Sequence, residues 1–175
     1  MIHRTEDRVY ILKDPRGGEW RRGDQFLRMM QAESLEAWTA AMRLRAHPGS
    51  NFVYADAAGN IFYLWNAAIP DRPHRAGGDR AVPAARTGEV WTRLHALDEL
   101  PQLLNPPGGY VRNENDAPWL TNLRQRIDRA AYPAYFEDGV QSLRSQHSLL
   151  LLDNDRRFSL EDVVREKHTE KMLLS

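Results

Sequence analysis

Cysteine is absent from the 175-residue chain. That excludes disulfide staples, a thiol nucleophile and any cysteine-ligated zinc centre, and it leaves the compartment open. Lysine is scarce: 21 of the 24 basic residues are arginine, scattered along the sequence. Formal net charge is +0, so neither a nucleic acid nor an anionic membrane is an expected partner. The Arg-Arg pairs at 21–22 and 156–157 read as solvated faces. Long apolar runs are missing as well. The longest aliphatic stretch is Leu149–Leu152, far short of the ~20 residues that cross a bilayer as a helix. The opening Met1-Ile2-His3-Arg4-Thr5-Glu6-Asp7 mixes charges of both signs around no apolar centre. It reads as neither a signal peptide nor a membrane segment.

Signals for metals and cofactors are equally thin, and none is expected. Histidines stand at 3, 47, 74, 95, 147 and 168, and no two have the spacing that puts both on one metal from one helix or strand. Asp153-Asn154-Asp155 lacks the glycine and the distal glutamate of a calcium loop and reads as an interhelical turn. No Gly-x-Ser-x-Gly elbow occurs. Gly77-Gly78 and Gly108-Gly109 are not followed by phosphate-loop residues.

What is present is the composition of one ordinary globular domain, 42% hydrophobic and 27% charged. Val9–Leu12 reads as a short strand. Gly23-Asp24 opens a helix with Asp24 as N-cap and Phe26, Leu27 and Met30 on one face. A second helix starts at Ser34, carries Leu35, Trp38, Ala41 and Met42, and ends at His47-Pro48-Gly49. Phe52–Ala55 and Ile61–Trp65 are β-rich runs that flank Gly59-Asn60, residues tolerant of positive φ, and together predict a hairpin. Residues 66–88 hold three prolines, three glycines and no helical period, which predicts a long irregular excursion. Leu97-Asp98-Glu99-Leu100-Pro101 predicts a short helical turn, and a short turn is placed within Ile127–Tyr135. Helix returns from Val140 to about Leu152. A last helix begins at the capping box Ser159-Leu160-Glu161-Asp162 and continues through Met172–Leu173 to the end of the chain.

The most informative stretch is Asn105-Pro106-Pro107-Gly108-Gly109-Tyr110-Val111-Arg112-Asn113-Glu114-Asn115-Asp116-Ala117-Pro118-Trp119. Prolines and glycines force a fixed path, and a further proline stops regular structure. In an extended segment Asn113 and Asn115 would point to one side. An amide held on such a turn donates in a preset direction, which is what a developing oxyanion needs.

This stretch resembles the segment of penicillin and cephalosporin acylases that supplies the oxyanion-hole asparagine; these are N-terminal-nucleophile amidohydrolases. Upstream, Asn51-Phe52-Val53-Tyr54-Ala55-Asp56-Ala57-Ala58-Gly59-Asn60-Ile61-Phe62-Tyr63 resembles their Asn-x-x-x-Ala-Asp-x-x-Gly-Asn-Ile-x-Tyr hairpin. Ile69-Pro70-Asp71-Arg72 and Gly88-Glu89-Val90-Trp91 resemble the segments that come next. The resemblance runs in order over roughly residues 20 to 172 and treats residues 1–175 as a single partial domain. It implies an α+β section of a four-layer αββα sandwich. The family pattern puts the donor three residues before a proline, which Pro118 makes Asn115 rather than Asn113. Arg144 lies fifteen residues before Ser159, the offset at which these acylases keep an arginine near the active site. A guanidinium there can hold the asparagine or a substrate carboxylate. Phe52 matches a position that lines the acyl side-chain pocket in the penicillin G type.

The family's nucleophile is a serine exposed by self-cleavage, whose own α-amino group acts as base. Met1-Ile2-His3 matches no such processing site. The expectation is therefore an internal section of the large chain, inactive alone. It would contribute to hydrolysis of an N-acylated amine, of β-lactam or acyl-homoserine-lactone type, once joined to the remaining acylase segments. The competing expectation is a non-catalytic truncated homologue that acts as a folding or association module, pairing with itself or with other segments.

Overall fold

The computed structural model describes residues 2–73 and 81–169. Its centre is explained by one run, Ile61-Phe62-Tyr63-Leu64-Trp65-Asn66-Ala67. The run is apolar almost continuously instead of alternating, as expected of a strand covered on both faces. It forms strand β4 (Ile61–Ala67), buried at every position after the first. β4 lies between β3 (Gly49–Ala55) and β5 (Gln102–Leu104) and is antiparallel to both, giving the order β3-β4-β5. The register pairs Phe52 with Leu64, Tyr54 with Phe62, and Phe62 with Leu104. Gly59 closes the hairpin at φ +90°, as expected; Asn60 takes no positive φ. A second, two-stranded antiparallel sheet pairs β1 (Ile2–Arg4) with β2 (Val9–Ile11) and leaves β2 exposed along its length.

One face of the central sheet carries Phe52, Tyr54, Phe62 and Leu64 and is covered by helices α1 (Arg22–Gln31) and α2 (Leu35–Met42). The Trp38 ring of α2 lies 5.2 Å from Tyr54, 5.9 Å from Phe62 and 6.4 Å from Phe52. Ser34 caps α2 by accepting from Ala37 N at 3.1 Å, as its sequence predicts. α1 departs from expectation. Arg21, not Asp24, stands at the N-cap without a side-chain bond, and Asp24 instead pairs with Arg28 one turn on at 3.0 Å. Leu27 and Met30 are exposed.

The face α1 buries is chosen by a polar residue. Gln25 donates to Asn66 Oδ1 at 2.9 Å and accepts from Ala46 N at 2.7 Å, while Asn66 donates to the Met42 carbonyl at 2.9 Å. Both amides are fully buried, where each unmade bond costs about 1–3 kcal/mol. Gln25→Leu, nearly isosteric but unable to bond, is expected to destabilise the chain by about 2 kcal/mol or more. A melt unchanged within error would refute that role.

The opposite face carries Tyr63 and Trp65 and is covered by an irregular layer from Ala117 to Phe136. Rings run through that layer in sequence: Trp119 to Tyr132 at 5.4 Å, Tyr132 to Phe136 at 5.5 Å, Phe136 to Trp65 at 5.7 Å. The short turn expected within Ile127–Tyr135 is a 3₁₀ turn at Arg129–Ala131, and another occurs at Leu97–Glu99. α3 runs Leu143–Leu152, capped by Ser142 and ended by Asp153. α4 runs Leu160–Lys167 from the expected Ser159–Asp162 capping box. Its predicted continuation through Met172–Leu173 lies outside the described residues, as does the middle of the 66–88 excursion. Among the described residues no helix is long and apolar enough to cross a membrane.

Candidate functional site: a turn-held asparagine beside Arg144

The sheet delivers the asparagine-rich segment. β5 ends at Leu104, and Asn105 turns the chain out at φ +48°, a conformation asparagine tolerates. Asn105 is anchored as it turns: its N donates to the Ile61 carbonyl at 2.9 Å and its Oδ1 accepts from Ile61 N at 2.8 Å. Gly108 and Gly109 then take φ +87° and +68°. At Gly108 it is the positive φ that calls for glycine; a Cβ there would sit 2.9 Å from Cδ of the Arg124 side chain, which would have to move aside.

Asn122, fully buried, staples this loop to the chain that follows it. Its Nδ2 donates to the carbonyls of Pro107 at 3.0 Å and Tyr110 at 2.9 Å, and its Oδ1 accepts from Arg124 N at 2.8 Å and Gln125 N at 2.9 Å. Arg112, only 5% exposed, ties the next stretch down. It donates to the Leu120 carbonyl and to Gln141 Oε1, both at 2.8 Å, and pairs with Glu114.

Residues 113–116 are not extended, so Asn113 and Asn115 do not share a side. Asn115 takes φ +70°. Asn113 is spent on the turn itself: its Oδ1 accepts from Asn115 N at 2.7 Å and its Nδ2 donates to the Asp116 carbonyl at 2.9 Å. Asn115 is exposed, and its side chain has a different partner. Arg144, in the first turn of α3, donates to Asn115 Oδ1 at 3.1 Å and to the Glu114 carbonyl. The guanidinium therefore fixes the oxygen end of the amide, and Nδ2 meets no acceptor among the described residues. Burial pushes the Asp116 carboxyl up. Hydrogen bonds from Ser145 and Ser142, with the nearby Arg112 charge, outweigh that and hold it below its ordinary value.

The structure thus brings Asn115 and Arg144 together. Phe52 is elsewhere: it faces the helix layer, with ring centres 5.9 Å from His47 and 6.3 Å from Phe26, and among the described residues it makes no hydrogen bond or ring contact with Asn115 or Arg144. Three further residues of the site, Arg112, Asp116 and Asn122, carry no mark in the sequence. Asn122 follows a Pro-Trp stop as any loop polar residue would, and Arg112 is in sequence one of many scattered arginines. Their burial was not marked by any periodicity. Among the described residues no group of three or more His, Asp or Glu side chains is placed to hold a metal ion.

The chain is of the mixed helix-and-sheet class, with a side-chain amide clamped at its oxygen and open at its nitrogen. Residues 16–173 match the family model described as Penicillin amidase, and the chain belongs to that family. It is 36% identical over 90 residues to penicillin G acylase of Escherichia coli, a match covering 51% of this chain and 10% of that protein. Among solved structures it resembles a thermostable penicillin G acylase from Alcaligenes faecalis in orthorhombic form, with TM-score 0.58 and 23% identity over 94% of this chain and 30% of that one. The second likeness is one of fold. The chain thus spans well under two thirds of the length of either relative.

Proposed function

We propose that this chain is a section of an acylase-type amidohydrolase of four-layer αββα fold, residues 1–175 forming one partial domain, in which Asn115 stabilises the tetrahedral oxyanion. The observation that carries the reading is the Arg144–Asn115 bond at 3.1 Å, which engages the amide through oxygen and leaves nitrogen to donate. Arg144 orients that amide. Membership of the penicillin amidase family supports an N-acylated amine as substrate class, a β-lactam or an acyl-homoserine lactone. Phe52, packed among the rings of α1 and α2, would reach an acyl group only from the helix side of the sheet. The nucleophile, an N-terminal serine, would come from another segment.

A second reading, association without catalysis, is favoured by the large apolar side chains left open: Trp20 and Ile11 near the start, Leu150 on α3 and Leu160 on α4. One experiment separates the two. Chromogenic phenylacetyl- and glutaryl-amides are offered to the chain alone and to the chain co-expressed with a nucleophile-bearing acylase segment. The chain alone is expected to be inert, and the mixture active. Turnover by the chain alone that survives repurification and is lost on Asn115→Ala would overturn the need for a separate nucleophile segment. Binding without turnover would favour the association module.

A further inference from the structure

We propose that Asp116 is the positioning residue that sets Asn115 against Arg144. Its Oδ2 accepts two hydrogen bonds from Ser142, one from the backbone N at 3.0 Å and one from Oγ at 3.1 Å. Ser142 is the N-cap of α3, and Arg144 stands two residues further on, in the helix's first turn. The carboxylate next in sequence to Asn115 therefore fixes the start of the helix whose arginine holds Asn115.

The same residue closes the turn from the other side, because its carbonyl accepts from Asn113 Nδ2 at 2.9 Å. Ser142 Oγ meanwhile accepts from Ser145 N at 3.2 Å, the ordinary cap bond, and contacts the fully buried Ser145 Oγ at 3.2 Å. Two segments of chain thus meet through one acceptor oxygen. Arg112, which bonds Gln141 immediately before the cap, braces the same junction from beneath. Without Asp116 the cap would still bond its own helix, and Arg144 would keep its helical position. What would be lost is the registration of helix on turn, and a guanidinium shifted by about 1 Å no longer reaches Asn115 Oδ1 in bonding geometry.

The catalytic meaning of this inference rests on the reading of Asn115 as oxyanion donor, but the geometry can be tested without turnover. In the full chain, ¹⁵N-resolved NMR follows the Asn115 side-chain amide, identified by its disappearance in Asn115→Ala. The two Nδ2 protons should be displaced from the shifts of a free asparagine side chain, since Arg144 holds the amide in one orientation against the turn. Asp116→Ala and Arg144→Ala should each bring them to the position of a free asparagine side chain, and combining the two should add nothing. Asp116→Asn, which keeps an oxygen acceptor for Ser142, should restore the wild-type signal. Ser142→Ala keeps the backbone donor and should move the signal part of the way, which decides the matter if Asp116→Ala does not fold.

An Asn115 signal that responds to Arg144→Ala but to neither the Asp116 nor the Ser142 variants overturns the proposal. In an active acylase carrying this segment, Asp116→Ala should lower kcat on the order of 10²-fold at unchanged KM, with rescue by Asp116→Asn. If the NMR behaves as stated while Asn115→Ala in that enzyme leaves kcat intact, the positioning role stands and the oxyanion reading fails.

Discussion

Asn115→Ala, made in an active acylase that carries this segment, is expected to lower kcat by roughly 10²–10³ with little change in KM, the size of losing one oxyanion donor. The split between the two constants is what matters. An amide that binds the oxyanion acts when charge develops on the carbonyl oxygen, so its removal leaves ground-state binding nearly intact. Asn113→Ala should behave differently. Asn113 spends both ends of its amide on the turn, so its loss should appear in thermal stability and reach kcat only through the misplaced turn. Side-by-side kinetics and melts decide between them; if the two substitutions exchange these effects, the donor has been assigned to the wrong asparagine.

Trp119→Ala is expected to cost roughly 3–5 kcal/mol of stability, the range for deleting a large buried ring. Trp119 is buried against Tyr132, lies under the Arg129 guanidinium at 4.9 Å and donates Nε1 to the Glu137 carbonyl at 3.1 Å. It therefore joins the turn that presents Asn115 to the ring series reaching Trp65 on β4. Denaturant titration with a matched Trp20→Ala control separates this from a generic loss of tryptophan, because Trp20 is exposed and should be near neutral. A Trp119 cost below about 1 kcal/mol would mean that the irregular layer packs without it.

The hairpin was legible in the sequence because a continuous apolar run, a glycine at the turn and β-rich flanks agree with one another. The caps at Ser34 and Ser159 were legible because a hydroxyl before an apolar period has one economical use. Strand β5 was not: three residues after a proline carry no period, and only the partner β4 makes them a strand. α1 misled because Leu27 and Met30 look like core, while the decisive residue was Gln25, whose partners Asn66 and Ala46 are distant in sequence. At the site, the pairing of Asn115 with Arg144 rested on a family offset, and no local signal announced it. The left-handed turn at Asn115 was hidden for a similar reason, since asparagine permits positive φ without demanding it.

The strand order β3-β4-β5 gives the sheet a direction of growth. β5 is three residues long and runs straight into Asn105-Pro106-Pro107, so its outer side offers almost no ladder and two residues that cannot donate. β3 is different: Gly49–Ala55 has seven residues, contains neither proline nor a charged side chain, and among the described residues has a strand, β4, on one side only. An unblunted edge of that length is a template for another strand. A strand arriving from a further acylase segment or a second copy would thus find a ladder along β3 and almost none along β5. Val53, half exposed on β3, is where a lysine would close that ladder. Val53→Lys should suppress association while sparing the Asn115 turn, which the sheet presents from its blunt side. Association that persists unchanged in that variant would place the junction elsewhere.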